Sequence, residues 1–179
     1  IHMTSFAGDN PLNAQIYAAK NTKAKISLDL GELYFKKGFS KILPLIDSAY
    51  IIFPTEEELG IWGFDYKDGS IDCKNASRIL SGYGPEIVVI KRGRKGCYAK
   101  SGEKELYVPV EKIFEGEATG RGDVFDAGFL AGLSLNDYQL SKDVLEQCAR
   151  FGNYLAGKSM ATPGRGAYPI REDLKYFVK

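Results

Sequence analysis

Strand-like and helix-like segments alternate along this chain, and that alternation restricts the fold more than any other feature of the sequence. Pro11 to Asn21 carries Leu12, Ile16 and Ala19 at helical spacing, with Pro11 acceptable in a first turn. Lys25 to Leu30 is extended and ends at Gly31, and a further helical piece runs to Leu43, where Pro44 is expected to break or kink it. Ala49 to Phe53 reads as a fully buried strand stopped by Pro54. Short helices are predicted over Thr55–Trp62 and Asp72–Leu80, the second with Cys73, Ala76 and Leu80 on one face. Glu86 to Lys91 is the clearest central strand, and it turns at Gly93-Arg94-Lys95-Gly96. Two shorter strands, Cys97–Lys100 and Glu105–Pro109, precede helices over Arg121–Leu135 and Lys142–Ser159 and a last amphipathic turn or two from Arg171 to Val178. Such an order predicts an α/β fold, a mostly parallel sheet with helices on both faces, and places ligands beyond the carboxyl ends of the strands.

The 179 residues, 44% of them hydrophobic, are enough to bury a core, and one compact α/β domain over 1–179 is expected. Twenty-four basic residues against twenty-three acidic ones give no net pull toward nucleic acid or an anionic membrane, and neither is expected as a partner. No apolar run approaches the roughly 20 residues that cross a bilayer. The segment Ile1 to Phe6 lacks the basic and apolar regions of a secretory signal. Cys73, Cys97 and Cys148 are odd in number and far apart, and His2 is the single histidine, so no zinc cluster is expected. The cysteines read as reduced and packed, which points to a cytoplasmic protein.

The most informative stretch is Gly116-Glu117-Ala118-Thr119-Gly120-Arg121-Gly122-Asp123, which runs into a helical stripe of Val124, Phe125, Gly128, Phe129 and Gly132. Gly128 and Gly132 each cost about 1 kcal/mol relative to Ala inside a helix, a loss usually offset by close packing. Thr119, Gly120 and Gly122 sit where backbone N–H groups and the positive end of the helix dipole make a cradle for an anion such as phosphate. Asp123 in the first turn has two readings. It is a carboxylate that compensates the dipole or caps the helix, or it is a general base beside the cradle.

Thr119-Gly120-Arg121-Gly122-Asp123-Val124-Phe125-Asp126-Ala127-Gly128-Phe129 resembles the second signature of the ribokinase-like (PfkB-type) carbohydrate kinases, D-T-T-G-A-G-D-x-F-x-A-G-F. The resemblance implies a ribokinase-like three-layer sandwich. It makes Asp123 the base that deprotonates a substrate hydroxyl, with Gly120, Arg121 and Gly122 as the anion hole for the transferred phosphate and Thr119 among the nucleotide contacts. Arg121 stands where the family has a small residue, and its guanidinium either adds a donor to phosphate or points away. Glu117-Ala118 stands where the family has Asp-Thr, which leaves dependence on a monovalent cation (K+) open.

Further segments carry weaker resemblances. Thr55-Glu56-Glu57-Glu58 is a capping box by local chemistry, and it also falls where the family carries N-x-x-E, whose Glu organises Mg2+ and phosphate through water. That makes Glu58 the candidate metal residue. The strand ending in Lys91-Arg92-Gly93-Arg94-Lys95-Gly96 is either a plain hairpin turn or the family's x-x-G-x-x-G nucleotide turn, implying contacts from Lys91, Gly93 and Gly96. Lys91, Arg92, Arg94 and Lys95 are otherwise a solvated basic turn. Asn153 matches an Asn that lines the family's adenine pocket, and Gly164-Arg165-Gly166-Ala167 matches its closing G-A turn.

Gly152-Asn153-Tyr154-Leu155-Ala156-Gly157-Lys158-Ser159 also satisfies G-x-x-x-x-G-K-[ST]. That motif works only as a loop between strand and helix, and here an apolar helical stripe from Val144 to Ala156 runs through it. Arg121-Gly122-Asp123 spells an adhesion tripeptide, without the secretory context such a ligand needs.

The resemblance thus implies ATP-dependent phosphorylation of a sugar, nucleoside or similar polyol with ATP and Mg2+ as cofactors. The other expectation is a nucleotide-binding or regulatory domain without turnover. Only the later part of the family pattern is matched. The family's sugar-binding G-G-x-x-N segment and lid strands have no counterpart, and Thr4 to Gly8 reads as a mid-domain strand and loop. A fragment, a proteolysed product or half of a split protein is therefore expected, either a homodimer or associated with a missing N-terminal segment.

Overall fold

A computed structural model describes the chain apart from residues 114, 117, 118, 163–165 and 178–179. Two compact units emerge, Ile1–Lys91 with Lys100–Glu103, and Arg92–Ala99 with Lys104–Lys179.

The first unit is built on four strands, β1 (His2–Met3), β2 (Ser27–Leu28), β3 (Ile51–Ile52) and β6 (Ile87–Lys91), ordered β1-β2-β3-β6 with every neighbouring pair parallel. Ser27 and Leu28 pair with Ile51 and Ile52, which in turn pair with Ile87 and Val88. All five residues of β6 are buried, as a parallel strand covered on both faces requires. The helices between these strands are α1 (Asn10–Asn21), α2 (Gly31–Phe35), α3 (Phe39–Asp47), α4 (Glu56–Ile61) and α5 (Cys73–Ser81). Asp72 caps α5 by accepting the Asn75 N–H at 3.0 Å, and Cys73, Ala76 and Leu80 are buried as their spacing predicts.

Two sequence expectations for this unit need correction. Pro44 does not end its helix, because α3 continues to Asp47 with Ile42, Leu45 and Ile46 buried on one face. The apolar face outweighs the one hydrogen bond that the ring removes, and Ser48 Oγ donates to the Pro44 carbonyl at 3.0 Å. The first strand lies at His2–Met3, upstream of Thr4–Gly8, where its N-terminal neighbour Ile1 accepts the Ser27 N–H at 2.9 Å. A hairpin of β4 (Tyr66–Lys67) and β5 (Ser70–Ile71) was not anticipated. Its Asp68-Gly69 turn has both φ angles positive, at 53° and 75°, which is the geometry that an Asp-Gly pair favours between antiparallel strands.

The second unit contains β7 (Cys97–Ser101, of which the last two residues belong to the first unit), β8 (Lys104–Val108), α6 (Arg121–Leu135) and α7 (Lys142–Lys158). The two residues between β7 and β8 permit only an antiparallel return. Ser141 caps α7 by accepting the Val144 N–H at 3.1 Å. The C-terminal segment forms a 3-10 helix over Arg171–Tyr176. Cys73, Cys97 and Cys148 are free and buried, and burial pushes the Cys97 and Cys148 thiols up to about 12, far from reactivity.

Helix α6 lies against α7 at glycines. A methyl group at Gly128 would come within 3.0 Å of the Gly152 Cα, and one at Gly132 within 2.9 Å of the Cys148 sulfur. This close approach explains why α6 tolerates residues that weaken a helix. Gly128→Ala should therefore destabilise the protein by about 1–3 kcal/mol, despite a helix-propensity gain of about 1 kcal/mol. Urea unfolding measures this, and an unchanged or raised midpoint would show that the helices can part at no cost.

Candidate active site

In the first unit, charged side chains gather where three neighbouring parallel strands end. Asp29 follows β2, Lys91 closes β6, and the chain leaving β3 through Phe53-Pro54 begins α4 at Thr55. Thr55 and Lys91 pair as a parallel bridge, and the Lys91 N–H donates to the Pro54 carbonyl at 2.7 Å. The Lys91 ammonium donates to Asp29 Oδ2 at 2.8 Å, with 11% and 13% of the two side chains exposed. Asp29 Oδ1 accepts the Gly31 N–H at 3.1 Å. Lys91 is thus a buried, paired cation rather than part of a solvated turn.

Thr55 and Glu58 close the capping box that their spacing predicts. Thr55 donates its N–H to Glu58 Oε2 at 2.8 Å, and Thr55 Oγ1 accepts the Glu58 N–H at 3.1 Å. Glu58 is buried, and that desolvation raises its carboxyl above the ordinary range. The Thr55 N–H lowers it and the Asp29 charge raises it, while Lys91 opposes Asp29. Among the described residues no group of three or more His, Cys, Asp or Glu side chains could hold a metal ion. A lone carboxylate suits a cation that keeps most of its water and takes other ligands from a substrate's phosphates, as Mg2+ does.

In the second unit the described end of the glycine turn, Thr119 to Asp123, leads into α6. Gly120 is the N-cap of α6 with φ 74° and ψ 2°, a left-handed conformation that glycine adopts without strain. Val124 donates the first intrahelical bond, to the Gly120 carbonyl at 3.1 Å. The N–H groups of Arg121, Gly122 and Asp123 therefore have no acceptor within the helix. Asp123 is exposed in the first turn. The Arg121 guanidinium is 3.7 Å from the Met160 sulfur, so it is turned toward that thioether. Tyr168 went unnoticed in the sequence. A side chain at Gly120 would collide with its hydroxyl, and its ring packs on the cluster of Val124, Phe151 and Leu155. Gly120, Asp123 and Tyr168 converge.

A second convergence in this unit surrounds Val108 and Pro109. Gly96, at φ 90°, lies so close to the Val108 carbonyl that any side chain would collide with it, and Asn153 Nδ2 donates to the Val108 and Pro109 carbonyls at 3.2 and 3.4 Å. The Gly93–Lys95 turn is one turn of 3-10 helix, closed by the Gly96 N–H on the Gly93 carbonyl and the Arg92 N–H on the Gly96 carbonyl. Gly164 lies outside the described residues, as does Glu117. The apparent phosphate-binding pattern at Gly152–Ser159 is helix through Lys158, whose ammonium bonds both Asp173 oxygens, at 2.6 and 2.7 Å.

Residues 10–171 match the pattern of the pfkB family carbohydrate kinases. The chain belongs to that family. The pfkB chain is 32% identical over 168 residues to an uncharacterized sugar kinase of Archaeoglobus fulgidus, covering 92% of itself and 62% of that protein. It is 32% identical over 149 residues to the cytidine kinase of Thermococcus kodakarensis, covering 79% of itself and 49% of the relative. It therefore spans about half to somewhat under two thirds of the length of these two relatives. Its fold superposes on aminoimidazole riboside kinase of Salmonella enterica, with a TM-score of 0.79, 19% identity and coverage of 99% and 62%. The ribokinase of Arabidopsis thaliana gives a TM-score of 0.77 at 24% identity, with 99% and 55% covered. The mostly parallel, helix-flanked sheet is the ribokinase-like fold.

Two measurements check this geometry. Because burial raises the Glu58 carboxyl, the folded state keeps its proton longer than the unfolded state does. The stability contributed by neutral Glu58 is complete below its ordinary value of 4.5 and is lost as pH rises through the folded value. Wild type should accordingly lose stability relative to Glu58→Gln over the pH range above that ordinary value. A constant difference in urea midpoint across that range counts against the burial. Lys158→Ala should leave nucleotide affinity within about threefold and destabilise the protein by about 1–3 kcal/mol, because it strips a partner from buried Asp173. A tenfold loss of affinity with the fold intact would restore a phosphate role for Lys158.

Proposed function

We propose that this chain is the nucleotide-binding and catalytic portion of an ATP-dependent kinase that phosphorylates a hydroxyl of a sugar, nucleoside or related polyol. One observation carries the reading. At the start of α6, Gly120 is left-handed, the next three N–H groups lack helical acceptors, and Asp123 is exposed in that same turn. A phosphoryl group needs such donors as its charge spreads over equatorial oxygens, and an attacking hydroxyl needs an acceptor for its proton. Gly120, Arg121 and Gly122 supply the backbone cradle, and Asp123 takes the proton.

The nucleotide contacts fall to Thr119, Gly93 and Gly96, with Asn153 fixing the carbonyls that Gly96 approaches. Lys91 stays paired with Asp29 as the buried cation at the end of β6. Glu58 would hold a Mg2+ ion through water, and that ion would supply the charge that neutralises the phosphates. Support for ATP and for this substrate class comes from relatives. The Salmonella enterica kinase was solved with aminoimidazole riboside and an ATP analog, and the Arabidopsis thaliana ribokinase with ribose and ATP. Sugar or nucleoside acceptors also fit the names of the archaeal relatives.

A second reading, nucleotide binding without turnover, draws on the capping box. One oxygen of Glu58 already accepts the Thr55 N–H, which reduces what the carboxylate can offer a hydrated metal ion. Under that reading wild type binds Mg-ATP in calorimetry but turns over no sugar or nucleoside in a panel.

Asp123→Asn separates the roles. Asn keeps the size of Asp and the backbone donors stay in place, but the proton acceptor is gone. Turnover should fall about 10²–10⁴-fold with nucleotide affinity within about threefold. If Asp123 serves only the helix start, the variant loses about 1 kcal/mol of stability and keeps wild-type turnover. Turnover, affinity and melting temperature measured together decide, and wild-type turnover in the variant overturns the base assignment.

A further inference from the structure

The first unit holds a cavity of about 340 Å3 that the kinase chemistry does not use, lined by Phe39, Trp62, Phe64 and Tyr83 together with Asp65 and Asn75. Its volume falls within the range of about 300–1,000 Å3 usual for small-ligand sites. Phe39 opens α3, Trp62 and Phe64 follow α4, Asn75 lies on α5, and Tyr83 comes just after it.

The rings are set as walls. Phe39 and Trp62 stand nearly perpendicular, at 89° with centroids 4.9 Å apart, and Phe39 meets Tyr83 at 63° and 4.9 Å. Trp62 is fixed from behind by Phe35, whose ring centroid lies 3.9 Å away. The Trp62 indole N–H donates to the Phe35 carbonyl at 3.0 Å, so the side chain has only its π-face to offer a ligand.

Charge gives the second constraint. Asp65 is the one charged residue in the lining, and among the described residues no cation pairs with its carboxylate. Arg78 donates to the side-chain carbonyl of Asn75, itself a lining residue, at 3.0 Å rather than to Asp65. An anionic ligand is disfavoured by Asp65, and a purely apolar one would leave that carboxylate unused. The negative faces of electron-rich rings and a nearby carboxylate both attract the same ligand, a cation with an apolar surface.

We propose that this cavity binds a small organic ammonium ion, of the size and chemistry of a methylated amine, whose alkyl groups rest on the rings while its charge faces Asp65. The site lies within one unit, and the proposal stands or falls independently of the kinase reading.

Trp62 is the only tryptophan in the chain, so intrinsic fluorescence reports on the cavity directly. Choline is the probe, titrated at constant ionic strength against sodium chloride. Its neutral isostere, 3,3-dimethylbutan-1-ol, has the same shape without the charge. Choline should give a saturable change with half-saturation at or below about 10 mM. The alcohol should bind at least about fivefold more weakly, as the loss of a cation–π contact requires. Asp65→Asn, at an exposed position that should not disturb folding, should weaken choline at least about threefold while leaving the alcohol unchanged. Tyr83→Leu should weaken choline as well, with circular dichroism confirming the fold. Absence of a saturable choline response overturns the proposal. So does a preference over the alcohol below fivefold, or indifference to Asp65→Asn.

Discussion

The ion pair between Lys91 and Asp29 fixes the end of the first unit's sheet. β2 and β6 are not neighbours, since β3 lies between them, yet a side chain from the end of one reaches a side chain just past the end of the other. The pair therefore spans the place where the chain leaves β3 and turns into α4. Two charges that are mostly withdrawn from water hold little net stability of their own, but neither tolerates the loss of the other. Their value is positional. With Lys91 joined to Asp29 and bridged to Thr55, the first turn of α4 has a fixed origin, and Glu58 is brought into a buried setting.

The second unit solves a different problem by a different means. The cradle proposed at the start of α6 needs that start to be rigid, and α6 is held close to α7 at glycines with large side chains packed around them. Gly128 faces Gly152, Gly132 faces Cys148, and Gly152 faces Phe125 across the same interface. Val124, one residue beyond Asp123, joins Phe151 and Leu155 in the cluster on which Tyr168 packs. The residue after the candidate base is thus a core residue, so the turn is anchored to packed structure within one residue of its exposed carboxylate.

Much of this was legible in the sequence, and the reasons are local. The bounds of α6 at Arg121 and Leu135 follow from a glycine turn on one side and a five-residue apolar stripe on the other. The Thr55–Glu58 box follows from side chains that reach only their own helix start. The helix through Gly152–Ser159 follows from an apolar spacing that outweighs a coincidental motif. Membership of the pfkB family rests on the match over residues 10–171, within which that glycine signature lies. The misjudged features depended on balance. The course of α3 through Pro44 reflects burial exceeding a local penalty, and the Tyr66–Ile71 hairpin is too short and too exposed to show alternation.

What the sequence determined by itself is the order of elements, the Thr55–Glu58 capping box, and the residue types of the glycine turn with Asp123 at its end, because each depends on neighbours within about four positions. What only the tertiary structure decided is which distant side chains meet. Lys91 reads as part of a basic turn, and 62 residues of separation hide its pairing with Asp29. Asn153 reads as a pocket residue, and the fold alone shows that its amide is bonded to the Val108 and Pro109 carbonyls. Tyr168 gives no sign in the sequence that its hydroxyl lies over Gly120. The aromatic cavity draws on α3, on the segment after α4, and on α5 and the residues that follow it. Pairings of this kind are set by strand order and helix packing, which fix distance in space with no regard for distance along the chain.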